Sequence, residues 1–233
     1  MNLIKPSYEI ITPIDDPEEV KCLMRTIERV ARTCYKSEDK IAEDSAEKMI
    51  NNLIKRKHEA MIEFYDIIVK FTCDRGISHE IVRHRLASYA QESTRYCNYS
   101  KDKYDHGITF IDINNIFKLQ IGKEFSHPIS GNTKEIAEED ILYWYNEWYK
   151  AMEDSERHYH NLTNAYCPAQ LARSVLPNSV KTEINCKYNL REWRHFFRMR
   201  CDAPAHPQMR EITIPLLADF KSKIPIIFDD LSY

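Results

Sequence analysis

The segment "RHRLASYAQESTRY" (residues 83–96) gathers Arg83, Arg85 and Arg95 with His84, three hydroxyl side chains and two tyrosines, and Glu92 is its only acid. Guanidinium groups present rigid forks of N–H donors, and hydroxyls add donors that rotate to suit, so the segment has the chemistry to hold an anion, phosphate above all. A second basic group follows in the C-terminal third. "ARSVLP" carries Arg173, and "NLREWRHFFRMR" carries Arg191, Arg194, His195, Arg198 and Arg200 among Trp193, Phe196 and Phe197. On a helix, Arg191, Arg194 and Arg198 share one face, while Trp193, Phe197 and Arg200 share another. A guanidinium on a partly apolar face is costly to desolvate unless an anion meets it. Held there, it can stabilise negative charge that develops on a ligand.

Two other chemistries are weaker. His79-Glu80 with His84 looks like a zinc-protease motif, but the histidines stand five apart, about 140° around a helix, too far to share an ion. His158 and His160 fall about 200° apart and are expected at a surface or interface. No metal site is expected. Cys22, Cys34, Cys73, Cys97, Cys167, Cys186 and Cys201 are odd in number and contain no CxxC pair. That pattern suits reduced structural thiols in a cytosol better than a disulfide framework or a zinc ribbon. Cys97 and Cys201 lie near arginines, but a nucleophile also needs a paired base, and none is apparent.

The elements that position these groups follow from periodicity. "YEIITPI" reads as a strand, and Asp16-Pro17-Glu18-Glu19 starts a helix in the order of cap, first-turn proline and acids. A second helix covers 42–58, with Met49, Leu53 and Ile54 inward. Residues 65–73 alternate, so Ile67, Val69, Phe71 and Cys73 face a core. Asp74-Arg75-Gly76 reads as a turn and 77–91 as a helix, which would aim Arg83 and Arg85 about 200° apart, toward two ligands or a ligand and a neighbouring subunit. Residues 101–132 collect Gly107, Gly122, Pro128 and Gly131 and read as a loop-rich insertion. A long helix is expected from Lys134 to Asn161, with Ile141, Trp144, Trp148 and Met152 on one stripe. A strand over 179–188 and a helix over 189–200 follow, and then a helix kinked or interrupted at Pro215. The order argues for one α+β or mixed α/β domain over 1–233.

Composition narrows the function. Of 233 residues, 43% are hydrophobic and 30% charged, as in ordinary soluble globular chains, and the net charge of -3 offers no global attraction to nucleic acid or membrane. No run approaches the ~18 apolar residues of a membrane span, and the N-terminus lacks a signal-peptide pattern, so a cytoplasmic protein is expected. There are only four glycines, and none forms GxGxxG or GxxxxGK. Side chains must therefore hold any phosphate.

Arg83-His84-Arg85, seven residues and then Ser93 resemble the R-H-R-x7-S signature of flavin-dependent thymidylate synthases. "ARTCYKS", "KHEAMIEF", "ARSVLP" and "NLREWRHFFRMRCDAPAHPQMREI" resemble further segments of that family in the same order. The resemblance implies methylation of dUMP to dTMP, with 5,10-methylenetetrahydrofolate as carbon donor and FAD reduced by NADPH as hydride source. It also implies a single α/β (mixed α+β) domain with a central sheet flanked by helices, in a homotetramer with flavin sites built from several subunits. Carried over residue by residue, Arg83, His84, Arg85, Gln91, Asn189, Arg191, His195, His206 and His58 are flavin-side positions. Glu80, Arg83, Gln91, Ser93, Thr94, Arg95 and Arg173 are nucleotide-side positions. Arg200 corresponds to the arginine that activates the uracil ring. Ala60 stands where a hydroxyl is frequent, Phe64 where a histidine is, and Glu80 where a glutamine is. Two other readings stay open: a single-stranded nucleic-acid module using Arg83, Arg85, Tyr89, Arg95, Tyr96 and Tyr99, and a flavoenzyme acting on a different pyrimidine.

Overall fold

The computed structural model describes residues 1–99 and 107–233. In chain order the elements are β1 (Asn2–Ile4), β2 (Ser7–Ile10), α1 (Pro17–Tyr35), α2 (Ser45–Lys55), β3 (Asp66–Asp74), α3 (Arg75–Ile81), β4 (Ala87–Gln91), β5 (Thr109–Ile111), α4 (Asn114–Lys118), β6 (Glu124–Ser126), β7 (Thr133–Glu135), α5 (Glu138–Asn164), α6 (Ala169–Ala172), β8 (Lys181–Asn189), α7 (Leu190–Arg200), α8 (Pro207–Lys223) and α9 (Pro225–Phe228). The fold is mixed α+β, as expected. Two compact units share these elements. No helix among the described residues is long and apolar enough to cross a membrane.

The sheet unit comprises Ser7–Thr72, Glu80–Gln91 and Glu183–Tyr233. Its sheet has the order β2-β3-β8-β4, with β2 antiparallel to β3 and β4 antiparallel to β8. Helix α1 begins as its sequence dictates: Asp16 accepts the Glu18 amide, Pro17 occupies the first turn, and Lys36 closes the other end in a left-handed conformation. Leu23, Ile27 and Ala31 then form one buried stripe. In α2 the buried face is Ala46, Ile50 and Leu53, a stripe rotated from the expected one, so Met49 and Ile54 are half-buried. Along β3, Ile67, Val69 and Phe71 have no exposure at all, and Cys73 continues the alternation.

Helix α7 carries the centre of this unit. Asn189 caps it by accepting the Glu192 amide at 2.8 Å. Trp193, Phe196 and Phe197 point inward and meet Phe71, Tyr188 and Phe220 at centroid separations between 4.5 and 6.4 Å. The indole N–H donates to the Ile67 carbonyl (3.0 Å), so burial leaves no polar group of Trp193 unmet. Full burial of each such ring is worth about 1.5–3 kcal/mol. Helix α8 spans Pro207–Lys223 with Pro215 inside it, so of the expected kink or interruption the interruption does not occur; it is anchored by Leu216, Leu217 and Phe220, all nearly or fully buried.

The long-helix unit comprises Met1–Pro6, Cys73–His79 and Glu92–Thr182. Parallel strands β1 and β5 are bridged onward from Phe110 to Val180. Their apolar side meets Met152 and Tyr159 of α5, together with Tyr99, Ile108 and Ala172. The expected stripe of Ile141, Trp144, Trp148 and Met152 is buried or half-buried, but α5 starts at Glu138, because Lys134 pairs instead in the β6–β7 hairpin. Of the expected insertion at 101–132, residues 101–106 lie outside the described residues, and the remainder carries β5, α4 and β6.

The largest departure concerns 77–91. The helix ends at Ile81, and Ala87–Gln91 is a strand whose Tyr89 pairs with Cys186. Half-burial of Ala87, Tyr89 and Gln91 against exposure of Ser88 and Ala90 shows the period of two. Pairing along the free side of β8 satisfies five residues of backbone, and that outweighs the local helical preference of an alanine-containing stretch. The predicted helical divergence of Arg83 and Arg85 therefore does not apply. Asp74-Arg75-Gly76 is likewise not a free turn: Arg75 and Gly76 open α3, and Asp74 Oδ1 accepts the Ile77 amide at 2.7 Å.

Candidate functional site

In the sheet unit, the link between α3 and β4 exposes Arg83 and Arg85 and buries His84 between them. His84 lies 2.9 Å from Glu192 through Nδ1 and receives the Arg200 Nε–H at Nε2 (3.1 Å). A guanidinium only donates, so Nε2 is the bare nitrogen, and Nδ1 carries the proton that it gives to Glu192. Arg200 also donates from Nη1 to Glu80 Oε2 (3.1 Å) and from Nη2 to the Glu80 carbonyl (2.9 Å). The cation foreseen on a partly apolar face is indeed largely covered, at 17% side-chain exposure, and Glu80 is its anion. Tyr89 ties the link down: its one hydroxyl proton is shared between the carbonyls of His84 (2.5 Å) and Ile81 (2.9 Å), beside the Tyr188 hydroxyl at 3.1 Å. Burial pushes the Tyr89 hydroxyl up to about 12, so it stays a donor.

Burial holds the pKa of His84 below its ordinary value of 6.5, the Arg200 cation presses the same way, and Glu192 opposes both. A depressed histidine stabilises the fold fully above its unfolded pKa, and that contribution is lost as pH falls through the folded value. Stability measured by urea unfolding is therefore expected to drop on acidification from neutrality to about pH 5. The H84Q variant should lose that part of the slope; an unchanged slope would contradict the assignment. His84, Glu192 and His195 also bring one potential ligand atom each within 4.8 Å. Both His84 nitrogens are already engaged, and the adjoining Arg200 guanidinium repels a cation.

Beside this cluster lies a groove of about 460 Å³ lined by Glu59, Glu63, Leu86, Asn189, Arg191, Glu192, His195 and Arg198. Arg191 pairs with Glu63 (2.6 Å) and Arg198 with Glu59 (3.1 Å). The volume is that of a small-molecule site. Leu86, 71% exposed, offers an apolar surface, and each arginine retains N–H bonds beyond its glutamate. The groove thus combines an apolar surface with guanidinium donors, beside the carboxylates of Glu59, Glu63 and Glu192.

The remaining sequence candidates are dispersed. His58 is exposed on a separate groove with Arg32, Tyr35 and Arg56. His206 is exposed and caps α8, accepting the Gln208 amide at Nδ1 (3.3 Å). Gln91 ends β4, opposite Ile184. Of the departures, Phe64 is 60% exposed. In the long-helix unit, Arg173 donates to Thr94 Oγ1 (3.1 Å), Ser93 Oγ accepts the Arg95 amide (3.4 Å), and the Arg95 guanidinium lies 5.4 Å from the Tyr96 ring centroid. Thr94 and Arg173 line a groove of about 550 Å³.

None of the seven cysteines is in a disulfide. Cys73, Cys186 and Cys201 are buried, and burial pushes the Cys186 thiol up to about 12 and raises Cys201 as well. Those thiols are poor nucleophiles. Cys97 and Cys167 are half-buried, while Cys22 and Cys34 are exposed.

Glu192, Tyr89 and Tyr188, which hold His84 in place, were not foreseen from sequence. Asn189-x-x-Glu192 has the form of a capping box, but that pattern announces a helix start and not a partner for a histidine 108 positions away.

Comparison with known proteins agrees with this architecture. Relatives named flavin-dependent thymidylate synthase include one from Geobacter sulfurreducens, 28% identical over 222 residues and covering 92% of this chain and 82% of its own. Another, from Corynebacterium glutamicum, is 28% identical over 239 residues, covering 97% and 90%. The solved UMP/dUMP methylase PolB from Streptomyces cacaoi, bound with 5-Br dUMP, shares the fold with a TM-score of 0.74 at 17% identity, over 98% of this chain and 96% of its own. With residues 21–226 matching the family model described as thymidylate synthase complementing protein, this chain belongs to that family.

Proposed function

We propose that this chain is a flavin-dependent thymidylate synthase, a methyltransferase that converts dUMP to dTMP. The observation that carries the reading is the Glu192–His84–Arg200–Glu80 chain, which fixes a mostly buried guanidinium and begins at Glu192, itself a lining residue of the groove that holds Arg191 and His195. Three of the five N–H bonds of Arg200 go to His84 and Glu80. The other two are available to a uracil ring, where the cation stabilises charge as C5 becomes nucleophilic.

FAD, reduced by NADPH, supplies the hydride, and methylenetetrahydrofolate supplies the carbon. Arg83, His84, Arg85, Gln91, Asn189, Arg191 and His195 serve the flavin side, with His58 and His206 at its margins. Ser93, Thr94, Arg95 and Arg173, with Arg83, Gln91 and Glu80, serve the nucleotide. Glu80 has a second role, as the counter-ion that aims Arg200. No cysteine acts as nucleophile. The working assembly is a homotetramer, as in the family that the sequence resembles, and the enzyme is cytoplasmic.

Purified protein should show flavin absorption bands, or acquire them with added FAD. It should form dTMP only when dUMP, methylenetetrahydrofolate and NADPH are all present. UMP run beside dUMP tests the other pyrimidine reading. Methylation of UMP in preference to dUMP, or no uptake of FAD, would defeat the proposal.

A further inference from the structure

We infer that Glu192 is a positioning residue for the reaction: by holding the His84 proton on Nδ1, it fixes the direction in which Arg200 presents its guanidinium. The inference rests on the dUMP reading above and deepens it, because it names the group that sets the working geometry of Arg200. Glu192 is neither a flavin-side nor a nucleotide-side position of the family resemblance.

Glu192 stands in the first turn of α7, its amide held by Asn189 Oδ1. Its side chain is nearly buried and places Oε1 2.9 Å from Nδ1 of the equally buried His84 ring. A neutral imidazole carries one proton, and the partner of one nitrogen decides which of the two is bare. A carboxylate only accepts, so it draws the proton to Nδ1 and leaves Nε2 to receive the Arg200 Nε–H. With the proton on Nε2, two N–H groups would face each other across 3.1 Å, and Arg200 would have to turn away. The contacts of Nη1 and Nη2 with the Glu80 carboxylate and carbonyl leave rotation about the line joining them; the His84 contact stops it. Phe196, His195 and Tyr188 pack around the ring at centroid separations of 5.0, 5.5 and 6.1 Å. Its orientation is therefore set by packing, and the tautomer is the remaining variable.

Protonation of His84 acts like the wrong tautomer. An imidazolium donates from both nitrogens and repels the Arg200 cation, so turnover is tied to the neutral ring. Glu192, His195 and Arg200 face it from α7 and Tyr188 from β8, while Tyr89 of β4 binds its carbonyl and Glu80 of α3 meets Arg200. Burial, Arg200 and His195 disfavour the imidazolium, whereas Glu192 favours it. Removing the Glu192 charge therefore lowers the His84 pKa further, and the acid limb of turnover moves to lower pH. The variant loses rate near neutrality and yet resists acid better.

The test compares dTMP formation by flavin-loaded wild type and E192Q across pH. Glutamine keeps the shape and an acceptor, but its amide can equally donate to Nδ1, so the tautomer is no longer fixed. E192Q should lower kcat about tenfold near neutrality, with its acid limb displaced to lower pH. Because Glu192 lines the groove with Arg191 and His195, flavin content is measured beside kcat and should match wild type. Long-range 1H–15N spectra of histidine-labelled protein, with His84 assigned by its loss in H84Q, should show the proton on Nδ1 in wild type and both tautomers in E192Q. If E192Q turns over as wild type does, the inference fails and the dUMP reading stands. If it loses rate while the acid limb and the tautomer stay as in wild type, Glu192 is only structural and the inference again fails. If wild type forms no dTMP, both readings fall. Should E192Q not fold, the wild-type spectrum decides: a proton on Nε2 overturns the inference, and one on Nδ1 upholds it.

Discussion

Replacing Arg194 with methionine is expected to destabilise the folded chain by about 3–5 kcal/mol, a loss on the order of 10 °C in Tm. Arg194 is 1% exposed, yet it carries a full charge into the sheet unit. It makes a paired contact with Asp230 (2.6 and 2.7 Å), donates from Nε to Glu59 (3.0 Å), and donates from Nη1 to the Ile227 carbonyl. One guanidinium thus ties α7 to the turn at residues 59–64 and to the C-terminal segment after α9. Methionine fills much of the volume but leaves the Ile227 carbonyl and two carboxylates without their donor. The Glu59 side chain, 13% exposed, retains Arg198 as its one cationic partner among the described residues. Asp230, at 50% exposure, contributes less, because water screens it.

The pH profile distinguishes this account from simple loss of packing. Arg194 holds the Asp230 carboxyl below its ordinary 3.8. For Glu59 burial pushes upward, but the arginines prevail and hold it below 4.5. Depressed carboxylates stabilise the fold above their unfolded pKa values, and that stability is lost as pH falls through the folded ones. R194M should therefore lose most stability near neutrality and show a flatter acid limb in urea unfolding. A loss under about 1 kcal/mol, as for surface pairs, would show that the network does not act as a buried one.

The same arginine illustrates how far sequence reaches. The shared face of Arg191, Arg194 and Arg198 is legible from helical spacing, and so is the Asn189 start. What that face meets is not, because Glu59 lies 135 positions from Arg194. Helix α1 and strand β3 are legible for the opposite reason: their caps and alternation are local. The failure at 87–91 has the same origin. Tyr89 meets Tyr188 across 99 positions, and no window short enough to show periodicity contains both strands. The basic and hydroxyl residues of the site could thus be chosen from type and spacing, while the groups that orient them, Glu192 above all, depend on pairing that only the folded chain displays.

Arg200→Ala is expected to lower kcat by about 10²–10³-fold, the loss typical of removing one preorganised donor to a developing negative charge. The flavin should remain bound, because Arg191, Asn189 and His195 line the groove without help from Arg200. The variant also leaves His84 Nε2 without its donor and Glu80 without its cation, so a purely structural explanation must be tested beside the chemical one. R200K supplies that test. Lysine keeps a positive charge near Glu80 but cannot reproduce a fork that reaches Glu80 and His84 together. If the cation serves only to neutralise Glu80, R200K should restore turnover. If the fixed fork is what meets the uracil ring, R200K should retain flavin and fold while kcat stays depressed by more than about tenfold. Flavin loss in R200A equal to its loss of turnover would instead place Arg200 in cofactor binding and remove it from the activation of dUMP.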